Sequence, residues 1–194
     1  PADLPPNLVN TLANGSILKF QEAYVKKLTT ELNRYDNFYF EIQNEPWAES
    51  KDTVLVWNDY LVADDFKQAW MQWKNTLEIA SEDSRNWHKT VSAWIVETEK
   101  MFKKKHLISH NIANFKLPVF ASDPYISMYT FHYASPEAVS LNYGLDKVIG
   151  FNETGFAGRS DDTYRRQAWR FMMSGGGLFG HLDYSFTVGF ENGT

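Results

Sequence analysis

Apolar and polar residues change period several times along this chain, and each change marks an element. After the turn Asn14-Gly15-Ser16, Tyr24, Val25, Leu28 and Leu32 recur at three- and four-residue steps through a Lys/Glu-rich stretch, which predicts an amphipathic helix. Asp36-Asn37 breaks that period. The chain then alternates, with Phe38, Phe40 and Ile42 on one face and Tyr39, Glu41 and Gln43 on the other, a strand that ends at Asn44-Glu45-Pro46. Residues 47–83 exceed an ordinary strand-to-helix connection. Within them Phe66, Ala69, Trp70, Trp73 and Leu77 follow Asp64-Asp65 at helical spacing, so part of this insertion is expected to be a helix on the rim of the fold. Trp87, Val91, Trp94, Thr98, Met101 and Phe102 share one face of a stronger helix. Residues 106–110 and 125–132 read as strands, 136–141 as a short helix, and 147–151 as a strand ending in Asn152-Glu153-Thr154-Gly155. Ser160, Asp161 and Asp162 open a helix carrying Tyr164, Ala168 and Phe171, Gly175-Gly176-Gly177 closes it, and 178–184 is the last strand.

Strands that alternate with helices predict an α/β fold with a parallel sheet and crossover helices. Polar clusters recur at the strand ends: Asn44-Glu45, His110-Asn111, His132-Tyr133, Asn152-Glu153 and His181 with Asp183. Five such ends form the pattern of a barrel active site.

Composition narrows the choice. The 194 residues, 43% of them hydrophobic, suffice for the core of one domain covering 1–194. A formal charge of −5 shows no basic excess, and Lys103-Lys104-Lys105 sits where a helix end favours cations, so nucleic acid is not an expected partner. With no cysteine there is neither a disulfide framework nor a thiolate metal site. No stretch approaches the roughly 20 apolar residues of a membrane span, and the first six residues lack the regions of a signal peptide. Aromatic content is 16%, which fills cores first but also supplies flat rings that stack on sugars. Trp47, with Trp57 and Tyr60 behind it, is a candidate stacking platform.

Splitting a glycosidic bond with retention needs two carboxyls about 5 to 5.5 Å apart, one protonated to release the leaving oxygen and one ionised to attack the anomeric carbon. Glu45 and Glu153 end different strands and are the expected pair. Asn44-Glu45-Pro46 after a strand, a His-Tyr strand end and a later strand ending in Glu153 resemble the clan A glycoside hydrolases, especially the cellulase-like family 5. The resemblance spans nearly the whole chain as strands four to eight of a (β/α)8 TIM barrel. It implies retaining hydrolysis of β-linked oligo- or polysaccharides without cofactor or metal, Glu45 as acid/base, Glu153 as nucleophile, and Asn44 on the sugar 2-hydroxyl. It also implies that His132 and Tyr133 line the subsite of the cleaved sugar, the tyrosine holding the nucleophile. A polysaccharide substrate implies a secreted or periplasmic full-length protein.

Three positions depart from the family pattern. His132 and Tyr133 are adjacent, whereas the family spaces the pair by one residue, so Ala134 occupies the usual place of the tyrosine. Thr154-Gly155-Phe156 follows the second glutamate in place of an aromatic residue and glycine. Tyr184 or Phe186 stands in for a tryptophan platform on the last strand. Strands one to three have no counterpart ahead of the first helix, and a five-stranded sheet with two open edges exposes backbone. The chain is therefore expected to be a fragment whose barrel is completed by the rest of the full-length protein. Two other readings use the same residues: a metal-dependent amidohydrolase barrel with His110, His132 and Asp183 as ligands, and a non-catalytic barrel that only binds carbohydrate.

Overall fold

The computed structural model describes residues 3–55, 76–154, 160–180 and 188–189. Its elements, in chain order, are the helices α1 (Pro6–Val9) and α2 (Leu18–Leu32), strand β1 (Phe40–Glu41), helix α3 (Pro46–Glu49), strands β2 (Lys51–Leu55) and β3 (Thr76–Ala80), and helix α4 (Glu82–Glu99). Strands β4 (Ile108–Asn114) and β5 (Met128–His132), helix α5 (Glu137–Asn142), strand β6 (Val148–Glu153), helix α6 (Asp161–Met173) and strand β7 (Leu178–Phe179) follow. This is a mixed α/β fold with a five-stranded parallel sheet in the order β1-β4-β5-β6-β7, compatible with part of a barrel. β1 enters at Phe40↔Ile108 and Glu41↔Ser109, and β7 at Gly150↔Leu178 and Phe151↔Phe179. β5 lies between β4 and β6, and all five of its residues are buried, as expected of a strand covered on both faces. Among the described residues no helix is long and apolar enough to cross a membrane.

The chain divides into two compact units, with β4 and β5 each running from one into the other. The first holds α2, β1 and α4. Ser81 caps α4 by accepting from the Ser84 N–H, and Glu82 and Asp83 sit in the first turn where negative charge is favoured. Trp87, Val91 and Ile95 of α4 are buried, and the Trp87 indole donates to Gln21 of α2 at 3.0 Å. The second unit holds α5, β6, α6 and β7. There Phe151 meets Phe171 and Phe179 edge-on at 5.5 and 5.2 Å. Gly150 lets the strands close in, since a Cβ at that position would stand 3.0 Å from Thr130 Cγ2 and 3.2 Å from Leu178 Cδ2.

Several predicted elements move. Tyr24 turns outward, and Gln21, Val25, Leu28 and Thr29 line the covered side of α2. Met101 lies beyond the end of α4 and is 74% exposed, while the buried face of that helix takes up His88, Ser92 and Glu99. Leu77 belongs to β3, which pairs with β2 in a separate two-stranded sheet, so a strand replaces the end of the helix expected there. Its residues Thr76-Leu77-Glu78-Ile79-Ala80 alternate like a strand, and Lys51 meets Glu78 across the pair at 2.6 Å. Trp57, Tyr60, Phe66, Trp70 and Trp73 lie outside the described residues. β4 begins two residues later than expected and continues to Asn114, which puts His110 and Asn111 inside the strand rather than at its end.

Candidate active site

In the second unit, β5 ends at His132 and β6 at Glu153. The ladder continues one residue past β5, where the Tyr133 N–H donates to the Glu153 carbonyl at 2.8 Å. Tyr133 then leaves the extended region, with φ +50°. In an unbroken strand two neighbours point to opposite faces. The left-handed residue cancels that alternation, so both neighbours reach one carboxylate: the Tyr133 hydroxyl donates to Glu153 Oε1 at 2.8 Å, and His132 Nδ1 lies 3.4 Å from Oε2. His132 is fully buried, and its carbonyl accepts the Phe115 N–H at 2.8 Å, which fixes the strand end that carries the ring. The Glu153 side chain keeps 16% of its surface open. A carboxylate oriented through both oxygens and still reachable from outside can act as a nucleophile or a base. The adjacent His132 and Tyr133 thus both face the Glu153 carboxylate.

In the first unit, β1 is followed by Asn44 and by Glu45, which is also left-handed (φ +43°, ψ +57°). Non-glycine residues seldom adopt this region, and positions that do cluster where function demands them. Two backbone contacts hold Glu45 there. Its N–H donates to Asn111 Oδ1 at 2.9 Å, and its carbonyl accepts the Ala48 N–H at 2.8 Å, as α3 starts with a buried Pro46. Asn44 is exposed. Trp47 is 4% exposed, and such burial does not offer the open ring face that a sugar platform needs. Tyr184, Phe186, His181, Asp183, Gly155 and Phe156 lie outside the described residues.

Behind β1 a polar chain runs inward from the surface. Asn10 and Gln43 donate to Glu49 Oε2 at 2.7 and 3.1 Å, Gln43 Oε1 meets His88 Nε2 at 2.9 Å, and the rings of His88 and His110 pack edge-on at 4.4 Å. Burial pushes His88 well below the usual imidazole range, helped by His110 and the Arg85 charge. Burial, followed by the charge of Arg85, pushes His110 down to about 4. Both rings are neutral at neutral pH. His110 packs on His88 and on Tyr129, 6.4 Å away, and the metal-ligand reading of this residue gains no support from these neighbours.

Within the second unit, then, the structure joins His132, Tyr133 and Glu153, and within the first it ties Glu45 to Asn111. That last contact was not foreseen. Its trace in the sequence is a polar Asn111 on the same strand face as Ser109, which itself donates to Glu41 Oε2 at 3.2 Å. Compared with known protein families, with characterised proteins and with solved structures, the chain finds no match.

Proposed function

We propose that this chain carries the catalytic residues of a retaining, cellulase-like glycoside hydrolase acting on β-linked oligo- or polysaccharides, as strands four to eight of a (β/α)8 barrel. The observation that carries the reading is the Glu153 carboxylate, held by the Tyr133 hydroxyl and beside His132 at the end of a parallel strand. In the first step Glu153 attacks the anomeric carbon while Glu45 passes its proton to the departing oxygen, so the glycosidic bond breaks as the glycosyl ester forms. In the second, Glu45 as carboxylate takes a proton from water, and the water oxygen displaces Glu153 with net retention. Asn44 bonds the 2-hydroxyl, His132 borders the cleaved sugar, and neither step calls for a cofactor or metal.

β1 and β7 end the sheet order, and the remaining barrel strands of the full-length protein would cover their edges. Phe20 and Tyr24, a residue step of four apart and both exposed on α2, fit a helix face that such a complement also covers. A polymeric substrate places the full-length protein outside the cell or in the periplasm.

The test uses the full-length protein on aryl β-glycosides and soluble β-glucan, β-mannan and β-galactan, with the anomer of the first product read by NMR. Glu153→Gln is expected to lower kcat on the order of 10⁴-fold, as removal of a covalent nucleophile does. Glu45→Ala with added azide is expected to release the β-glycosyl azide. An inverted product, or wild-type activity in Glu153→Gln, sinks the proposal.

A further inference from the structure

We propose that Asn111 is a positioning residue for general-acid catalysis, holding the backbone of Glu45 in the conformation from which its carboxyl meets the leaving oxygen. This rests on the hydrolase reading above. Just past the end of β1 the backbone ladder to β4 continues, the Ile42 N–H donating to the Ser109 carbonyl at 3.2 Å. Beyond it the chain turns away toward α3. Asn111, two residues after Ser109 on the same face of β4 and fully buried, reaches across with its side-chain oxygen and accepts the Glu45 N–H. A side-chain amide thus takes the place of a backbone rung at the point where the strand is leaving the sheet.

The need for that rung follows from the torsion angles. A residue with a Cβ is disfavoured in the left-handed region, and neither glutamate nor the following proline gives a local reason for it. The angles of Glu45 are set by its two ends: the carbonyl is tied into α3 through Ala48, and the N–H is tied to β4 through Asn111. Without the Asn111 oxygen the N–H has lost its acceptor, the residue can relax toward extended backbone, and the direction of Cα–Cβ swings with it. Ser109 makes the analogous side-chain contact to Glu41, but to its carboxylate rather than to a backbone group.

A misdirected acid harms only the step that needs its proton. Leaving groups that depart as stable anions do not need it, and basic ones do. In the full-length protein, Asn111→Ala is therefore expected to lower kcat/KM for a phenyl β-glycoside by about 100-fold, the usual cost of a small misplacement. For the dinitrophenyl β-glycoside, kcat/KM should stay within about threefold, since glycosylation there needs little acid assistance. Asn111→Asp, which keeps an acceptor oxygen at the same reach, is expected to recover most of the phenyl glycoside activity. Should the alanine variant not fold, Asn111→Ser replaces it, because its shorter side chain cannot span to the Glu45 N–H. Equal losses on both substrates, or none on either, overturn the proposal. Hydrogen exchange at the Glu45 amide gives a reading independent of turnover: slow in the native protein, fast in Asn111→Ala. If the native protein cleaves no aryl glycoside the hydrolase reading fails by itself, whereas an amide that stays protected in Asn111→Ala overturns the positioning role.

Discussion

Two imidazole–carboxylate pairs in this protein are built from the same parts and end differently. In the first unit, His106 Nδ1 lies 2.5 Å from Glu99 Oε1, and both side chains are 3% exposed. Glu99 also accepts the His106 N–H at 3.0 Å and Asn33 Nδ2 at 3.2 Å, His106 Nε2 meets the Tyr35 carbonyl at 2.7 Å, and Phe38 stacks on the ring. Every polar atom of that pair faces protein, and it staples the end of α4 to the segment before β4. In the second unit, His132 is equally buried, but its partner Glu153 retains an open side. The two pairs differ in the accessible edge of the acid and in the chemistry of its other neighbours, since a phenol orients Glu153 where backbone and amide enclose Glu99, and on the proposed reading this separates a reactive group from a staple.

The comparison can be broken most directly by exchanging the damage. Glu153→Gln should remove activity, as set out above, and leave the melting temperature within a degree or two of the native value, about what a part-exposed surface change costs. Glu99→Ala should do the reverse. Losing one member of an enclosed pair costs about 3 kcal/mol, read as a lower urea midpoint with kcat per folded molecule unchanged. If Glu99→Ala is as stable as the native protein, the staple is no staple.

A third pair lacks an acid altogether and sharpens the contrast by pH. His88 and His110 have their affinity for protons lowered in the fold, so between the ordinary imidazole range near 6.5 and about 4 the unfolded chain binds more protons than the native one. Stability is therefore complete above about pH 7 and falls as pH drops through 6.5 toward 4, His110 alone accounting for at most about 3 kcal/mol of the loss. Urea titrations at stepped pH should show this slope, and His110→Gln should flatten it; a native curve level between neutral pH and pH 5 would contradict the neutral pair. The smallest effect is expected from Tyr133→Phe, which removes one hydrogen bond to Glu153 and keeps the ring. A drop in kcat/KM of about 10- to 100-fold with unchanged stability is the expected outcome, and an unaffected rate would mean that the phenol does not serve the carboxylate.

Much of this could be read from residue order, and the exceptions share a cause. Glu153 at a strand end, the start of α6 at Ser160-Asp161 and the β-α alternation are local patterns, and local patterns survive in sequence. The start of β4 does not, because His106, next to the strand-like Leu107-Ile108, is taken by Glu99 before it can join the ladder. The buried face of α4 reads poorly for the same reason: His88, Ser92 and Glu99 are inside because of partners on distant segments, including Gln43, Asp123 and Asn33. β2 and β3 are short, and the charged residues Lys51, Asp52 and Glu78 disguise their alternation. The reach of Asn111 to Glu45 spans 66 residues and meets a left-handed turn at Glu45, and the Tyr133 contact to Glu153 has a left-handed turn of its own; neither residue type gives any sign of them.

The turn at Tyr133 also says something about descent. At φ +50° the backbone would be better served by glycine or asparagine, yet a buried tyrosine stands there, tied by its N–H to the Glu153 carbonyl and by its hydroxyl to the Glu153 carboxylate. On the proposed reading, the preference of the backbone pulls this position one way and the need to orient Glu153 pulls it the other. On that reading, a relative that keeps this fold without the reaction is expected to keep the strand end but not the tyrosine hydroxyl on it.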